Sequence, residues 1–172
     1  MDSYTNTSED KSEFISNLSI LRQTHLFSVL PMDAVKLFAF LSTREFYRQG
    51  EYIFKTGDDD GCSYYILKGK ADLFLDGEEK KPVRSFSEES FLGALSMIYP
   101  MPRLFSLKVS EELTAIVMTR EKFSRVIEKF PGLSLQIIRA VCEKITQSEK
   151  RTIERYKKVG KDIVDLLGDS LI

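Results

Sequence analysis

Apolar residues change their spacing along the chain, and each change predicts a change of secondary structure. From Phe14 to Phe27 apolar side chains recur at near-helical spacing, and "PMDAVKLFAFL" predicts a second helix. Pro31 suits the start of that helix, and Asp33 falls in its first turn. Residues 1–10 lack apolar periodicity and are predicted to form a disordered tail.

After Ser42 the pattern changes to short segments rich in aromatic and β-branched residues, which predict strands. The segments are "REFYRQGEYIFKTG", "CSYYILKGKADLFLDGEE", "KPVRSFS", "RLFSLKVS" and "ELTAIVMT", separated by Gly50, Gly57, Gly61, Gly69 and Gly77. Both faces of "YYILKGKADLFLDG" are partly apolar, as in a sandwich whose strands cover each other. The predicted fold class is mainly β with flanking helices, built as an antiparallel barrel or jelly roll.

Helical spacing returns at Thr119, which suits the N-cap of "REKFSRVIEKF", and Pro131 ends that helix. Residues 11–131 are therefore predicted to form one domain, and residues 132–172 a long C-terminal helix. Its apolar positions alternate steps of four and three, which is a heptad seam: Ile138, Cys142, Ile145, Glu149, Thr152, Tyr156, Val159, Ile163 and Leu166.

Two interpretations of the C-terminal helix remain open. It folds back over the barrel as a lid, or it pairs with its copy as a dimerisation arm, and both can hold for different halves. Glu149 and Thr152 weaken the middle of the seam, and Gly160 costs about 1 kcal/mol of helix propensity.

Charge and composition exclude several classes of function. The formal net charge of -1 provides no overall field for nucleic acid or an anionic membrane. Charged residues interrupt every apolar run well short of a membrane span, and "MDSYTNTSEDKSEF" is polar and acidic where a signal peptide is basic and then apolar. We therefore expect a cytoplasmic protein that does not bind membranes.

The sequence shows no catalytic or metal-binding pattern. Cys62 and Cys142 form no CxxC pair, and His25 is the single histidine, so we expect no metal, no cofactor and no catalytic residue. The acidic turn "DDDG" lacks the alternating ligands and distal glutamate of an EF-hand, and is interpreted as a solvated turn. The protein is predicted not to be an enzyme.

The candidate binding chemistry lies in "FLGALSMIYPMPRLFSL", Phe91 to Leu107. A glycine at the start of a helical turn exposes backbone N–H groups, here those of Gly93, Ala94 and Leu95, which suit a phosphate or other anion. Arg103, expected on the next strand, is placed to grip the same anion with a bidentate contact. Alternatively, Arg103 pairs with Glu88 or Glu89 just upstream.

Two stretches of the sequence together resemble the cyclic nucleotide-binding domain family. "GEYIFKTGDDDGCSYYILKGKADLF" followed by "FLGALSMIYPMPRLFSL" resembles the effector domain of catabolite activator protein, the regulatory subunits of protein kinase A and the cytoplasmic domains of cyclic nucleotide-gated channels. The likeness covers Leu21 to Pro131. It implies an eight-stranded double-sheet jelly-roll barrel with N-terminal helices and a long C-terminal helix. It also implies a phosphate-binding cassette running from Gly93 to Arg103.

The cassette departs from the family pattern at three positions, each of which bears on the ligand. Ala94 stands where nucleotide-binding members carry a glutamate for the ribose 2′-hydroxyl, a loss of about 1.5 to 3 kcal/mol or about 10- to 150-fold in affinity. Leu104 replaces a small or hydroxyl-bearing residue, and strand alternation directs Phe105 to the same side as Arg103. Three hypotheses about the ligand therefore remain open. The cassette binds cyclic AMP or cyclic GMP, it binds another small anion, or it binds no ligand and the domain is an interaction or dimerisation scaffold.

The resemblance implies a regulatory or sensor module that passes its ligand or partner state through the C-terminal helix to a protein partner. Regulators like catabolite activator protein carry a helix-turn-helix domain after this helix. The sequence ends after "DIVDLLGDSLI", so we expect no DNA binding.

Overall fold

A computed structural model describes residues 3–75 and 81–159 of the chain. The helices are α1 (Ser3–Gln23), α2 (His25–Ser28), α3 (Met32–Leu41), α4 (Ala94–Ile98), α5 (Arg120–Lys129) and α6 (Leu133–Val159). The strands are β1 (Thr43–Tyr47), β2 (Tyr52–Phe54), β3 (Cys62–Phe74), β4 (Arg84–Phe86), β5 (Phe91–Leu92) and β6 (Ser106–Thr119). Helix α1 begins inside the segment predicted to be a disordered tail. Gly77, Gly160, Ile163 and Leu166 lie outside the described residues.

The two longest strands, β3 and β6, organise the sheet. They pair antiparallel from Cys62 opposite Thr119 to Phe74 opposite Ser106. Strands β1 and β2 add to β6, and strands β4 and β5 add to β3. The described residues thus form a mainly antiparallel, open sheet of six strands, and the expected count of eight is not found. One reason is that "RLFSLKVS" and "ELTAIVMT", predicted as two strands, lie largely within the single strand β6.

The pairing of β3 with β6 loses its regular register around Gly69. The pairing shifts between Ile66 and Ala71, and Gly69 adopts a positive φ of 90°. A Cβ atom at Gly69 would overlap the carbonyl oxygen of Glu112 and lie 2.8 Å from the Cα of Leu113. Only glycine permits this backbone approach and this φ. Residues from β2, β3 and β6 then share one core: Ile53, Phe54, Tyr64, Ile66, Ala71, Leu107, Val109, Leu113, Ala115 and Val117.

A second packed region joins the helices around Phe38, which is fully buried. Its ring meets Phe27 edge to face with centroids 5.1 Å apart, and it stacks on Phe123 at 5.6 Å. Helix α3 begins directly after Pro31, and Thr119 caps α5 by accepting a hydrogen bond from the backbone N–H of Lys122, so both predicted helix starts are confirmed. Helices α3 and α5 are thereby held together through aromatic contacts.

The chain divides into two compact units, Met1–Pro131 and Gly132–Ile172. The first contains the sheet and helices α1 to α5, and the second contains α6. On α6, the side chains of Leu135, Ile138 and Ile145 are about half exposed. Among the described helices, none combines the length and apolar character that crossing a membrane requires.

Candidate anion-binding site

Gly93 allows the guanidinium of Arg103 to lie against the backbone at the start of α4. It precedes α4 with a positive φ of 77°, a conformation that glycine adopts at little cost. A Cβ atom there would lie 2.5 Å from the carbonyl oxygen of Cys62 and 2.8 Å from Nη1 of Arg103. Any larger residue would therefore push the guanidinium away from the start of α4.

Arg103 reaches this position from a loop. The sequence places Arg103 on a strand, and this is wrong, because β6 begins only at Ser106. The backbone N–H of Arg103 donates to the carbonyl of Asp58, and its own carbonyl accepts from the N–H of Gly57, both at 2.8 Å. The backbone of Arg103 is thus tied to the acidic turn, Gly57–Gly61, instead of continuing the sheet ladder.

The guanidinium of Arg103 is buried, with 6% of the residue exposed. Its Nη2 donates to Oδ1 of Asp60 at 2.5 Å and to the carbonyl oxygen of Cys62 at 2.6 Å. The group also lies over the ring of Phe54, 4.1 Å from the centroid. Within the part of the chain that the structure describes, its Nε has no hydrogen-bond partner. A buried donor without a hydrogen-bond partner is rare in native proteins and requires a specific explanation.

The acidic turn supplies the negative charge that pairs with Arg103. The sequence analysis interpreted this turn as solvated and did not predict the ion pair. Asp60 Oδ1 also accepts from the N–H of Cys62 at 3.1 Å, and Oδ2 accepts from the hydroxyl of Tyr64 at 2.9 Å. Burial and then the charge of Asp60 raise the pKa of Tyr64, so its hydroxyl stays protonated as a donor. The carboxylate partner of Arg103 is therefore Asp60, where the sequence suggested Glu88 or Glu89.

A second arginine, Arg120, connects the acidic turn, α4 and α5. Its Nε and Nη2 donate to the carbonyl oxygen of Ser96 at 3.0 and 2.7 Å, and it forms an ion pair with Asp59. The hydrogen bond from Arg120 lowers the pKa of Asp59. The sequence analysis did not identify Arg120 or Asp59 as part of the site. The sequence feature that could have indicated them is the run of three aspartates in a turn bracketed by glycines, because such a run offers one carboxylate to each arginine.

The other residues predicted for the site differ in where their side chains lie. Ala94 is half-buried, whereas Leu95 and Leu104 are 46% and 70% exposed. The ring of Phe105 packs 5.5 Å from that of Phe54, which is the ring that lies against the guanidinium of Arg103. Phe105 therefore contributes to the core next to the site. The N–H groups of Ala94 and Leu95 begin a helix of five residues, and first-turn N–H groups have no acceptor within their own helix.

The fold agrees with a comparison against known protein families. The model of the cyclic nucleotide-binding domain matches residues 44–130, which include the acidic turn, the cassette and α5. The chain belongs to the cyclic nucleotide-binding domain family. Among the described residues of this domain, no group of three or more histidine, cysteine, aspartate or glutamate side chains is placed to hold a metal ion.

Cyclic nucleotide-binding domains of regulatory proteins are among the relatives. A cAMP-dependent protein kinase regulatory subunit of Emericella nidulans is 31% identical over 102 residues, which is 59% of this chain and 24% of that protein. A corresponding subunit of Colletotrichum orbiculare is 30% identical over 66% of this chain and 29% of its own length. The chain therefore spans about a quarter of the length of these relatives.

A solved structure of a cyclic nucleotide-binding-like protein from Brucella abortus superposes with a TM-score of 0.60 at 28% identity, covering 66% of this chain and 98% of that one. The regulatory subunit of a cAMP-independent protein kinase A from Trypanosoma cruzi, bound to guanosine, superposes with a TM-score of 0.60 at 25% identity, covering 67% and 41%. Both solved structures thus share the architecture of this chain, and one of them has guanosine bound.

Proposed function

We propose that this chain is a non-enzymatic regulatory module whose cassette binds a cyclic nucleotide, cyclic AMP or cyclic GMP, through its phosphate. The observation that carries the proposal is the buried guanidinium of Arg103, which lies against Gly93 and has an unused Nε donor. A charge-assisted contact from arginine to phosphate is the strongest recognition that this donor set offers. The N–H groups of Ala94 and Leu95 add two donors for the phosphate oxygens. The module takes no cofactor and no metal.

In this proposal, ligand binding is transmitted from the site to the rest of the domain by a displacement of α4. Because Arg120 holds the carbonyl oxygen of Ser96 in α4 and itself begins α5, a displacement of α4 pulls on the first residue of α5. Helix α6 follows α5 in the chain after Pro131 and Gly132, and presents the output to a protein partner. Such a switch is a population shift whose extent is limited by the difference in ligand affinity between the two states. DNA and membranes are not part of the proposed function.

A scaffold without a ligand is the second candidate, and the pairing of Arg103 with Asp60 favours it. The charge that would attract a phosphate is already neutralised within the protein. A glutamate for the ribose hydroxyl is also absent at Ala94. In this alternative the pocket no longer binds a ligand, and the protein acts only through its surface and α6.

Calorimetric titration separates the two candidates. Cyclic AMP, cyclic GMP and guanosine are titrated into the wild-type protein and into Arg103→Ala. We expect a cyclic nucleotide to bind in the micromolar range and to lose about 100-fold or more in Arg103→Ala, because the variant removes a buried charge-assisted contact. Guanosine lacks a phosphate and serves as the control whose affinity the substitution should leave nearly unchanged. Absence of binding at millimolar nucleotide would reject the sensor and leave the scaffold.

We also propose that α6 pairs with its copy in a parallel dimer. The exposed side chains of Leu135, Ile138 and Ile145 continue the heptad seam, and the exposed Cys142 lies between them at an equivalent position. In a parallel, in-register pair, each seam residue faces its own copy across the dimer axis. Burying this stripe would remove exposed apolar surface from water.

Disulfide cross-linking tests this dimer. Mild oxidation should link Cys142 to its copy, giving a band of twice the mass on a non-reducing gel, because facing seam positions bring the two sulfurs within bonding reach. Cys142→Ser controls for cross-linking through Cys62, and Ile145→Asp should abolish the band by placing a charge in the seam. A monomer by light scattering, with no cross-link in the wild-type protein, would contradict the dimer and leave the lid interpretation.

A further inference from the structure

The carboxylate of Asp60 occupies the part of Arg103 that a phosphate would need. The ion pair between Nη2 and Oδ1 measures 2.5 Å, and 5% of the arginine side chain and 22% of the aspartate side chain are exposed. Asp60 is itself held in place by the N–H of Cys62 and the hydroxyl of Tyr64. The carboxylate is thus a fixed, largely buried anion that is already bound to the proposed ligand-binding cation.

The hydrogens of Arg103 show why this pairing matters. A guanidinium offers two bidentate faces, one formed by Nε with Nη2 and one by Nη1 with Nη2, so each face requires one of the two Nη2 hydrogens. In this structure Nη2 donates to both Asp60 and the carbonyl of Cys62. Neither face can therefore form a bidentate contact with a phosphate, because both hydrogens of Nη2 are already used. A phosphate that enters while Asp60 stays in place is limited to single contacts from Nε or Nη1.

We propose that Asp60 is a built-in competing anion, which determines the affinity and charge selectivity of the cassette. The inference rests on the proposed function, since it assigns the incoming ligand to Arg103. A phosphate binds with a bidentate contact only after displacing the carboxylate, so each binding event includes the separation of an ion pair. The competition weakens every anionic ligand and leaves an uncharged nucleoside unaffected.

Asp60→Asn is the sharpest test, because asparagine keeps the shape and can keep the hydrogen bonds while removing the charge. We expect cyclic AMP to bind Asp60→Asn at least about tenfold more tightly than the wild-type protein. Inorganic phosphate at tens of millimolar should raise the melting temperature of Asp60→Asn more than that of the wild-type protein. Glu111→Gln is the matched control: it makes the same change of charge at the exposed pair with Lys70, and should change neither result.

A second variant covers the case in which Asp60→Asn does not fold. Tyr64→Phe removes the hydroxyl that holds Oδ2 and retains both charges and the ring. It should raise the affinity for cyclic AMP by a few-fold, because the carboxylate is then displaced more easily.

The outcomes distinguish this inference from the proposed function. Weaker or equal binding of cyclic AMP by Asp60→Asn, with binding by the wild-type protein, would overturn the competing anion and make Asp60 a residue that positions Arg103. If neither protein binds cyclic AMP, the proposed function fails and the phosphate measurement decides the inference alone. A melting-temperature gain specific to Asp60→Asn then supports it, and equal shifts in both proteins reject it.

Discussion

Replacing Gly69 with alanine should destabilise the domain by at least about 3 kcal/mol, the largest stability effect that we expect from a single methyl group. Two costs add at this position. An L-residue at a φ of 90° is strained by about 1 to 2 kcal/mol, and the new Cβ would overlap the carbonyl oxygen of Glu112 on the paired strand. Because that obstacle is backbone, relief requires β3 and β6 to separate around Gly69. Urea denaturation monitored by circular dichroism measures the loss.

Gly50→Ala is the matched control for this experiment. Gly50 has the same φ of 90°, but no atom lies within 4 Å of a Cβ built there. The substitution should therefore cost only the conformational part, about 1 to 2 kcal/mol. If the two variants lose the same free energy of unfolding, the close approach of the two long strands does not stabilise the fold as we describe it.

Ala94→Glu should increase the affinity for cyclic AMP by about 10- to 150-fold. The substitution returns the carboxylate that nucleotide-binding members of the family use to accept a hydrogen bond from the ribose 2′-hydroxyl. Ala94 is half-buried and follows Gly93 directly, so a longer side chain begins at the edge of the cassette. The gain is measured by calorimetric titration of cyclic AMP into the variant and the wild-type protein.

Two controls identify the source of that gain. Ala94→Gln has nearly the same size without the charge, and should recover only a small part of the affinity. Replacing cyclic AMP with its 2′-deoxy analogue should remove most of the difference between Ala94→Glu and the wild-type protein. An affinity that stays unchanged in Ala94→Glu would show that the ribose does not lie against residue 94, and the assumed ligand orientation would be wrong.

The helices, the antiparallel sheet and the family were predictable because each depends on local patterns. Proline at position 31 and threonine at position 119 mark helix starts through their own backbone and side-chain chemistry. The strand count was less predictable, because a bend at a bulge and an end of a strand produce the same glycine signal. Gly69 illustrates this, since β3 continues through it.

The partners of Arg103 could not be read from the sequence, because they depend on which loops meet in space. Asp60 is 43 positions from Arg103 in the chain, whereas Glu88 and Glu89 are closer along it. Hydrogen bonds between the backbone of Arg103 and residues 57 and 58 decide the pairing by placing the acidic turn beside the guanidinium. Sequence proximity favoured the wrong carboxylates for this reason.

We expect the guanidinium of Arg103 to contact the phosphate of a bound cyclic nucleotide. Nitrogen-15 NMR can follow the Nε–H signal of Arg103, assigned by its loss in Arg103→Lys, during titration with cyclic AMP and separately with guanosine. Cyclic AMP should shift this signal strongly as its phosphate accepts the unused Nε hydrogen, and guanosine should leave it nearly in place. An Arg103 signal that stays fixed while cyclic AMP saturates the protein would show that Arg103 does not contact the phosphate.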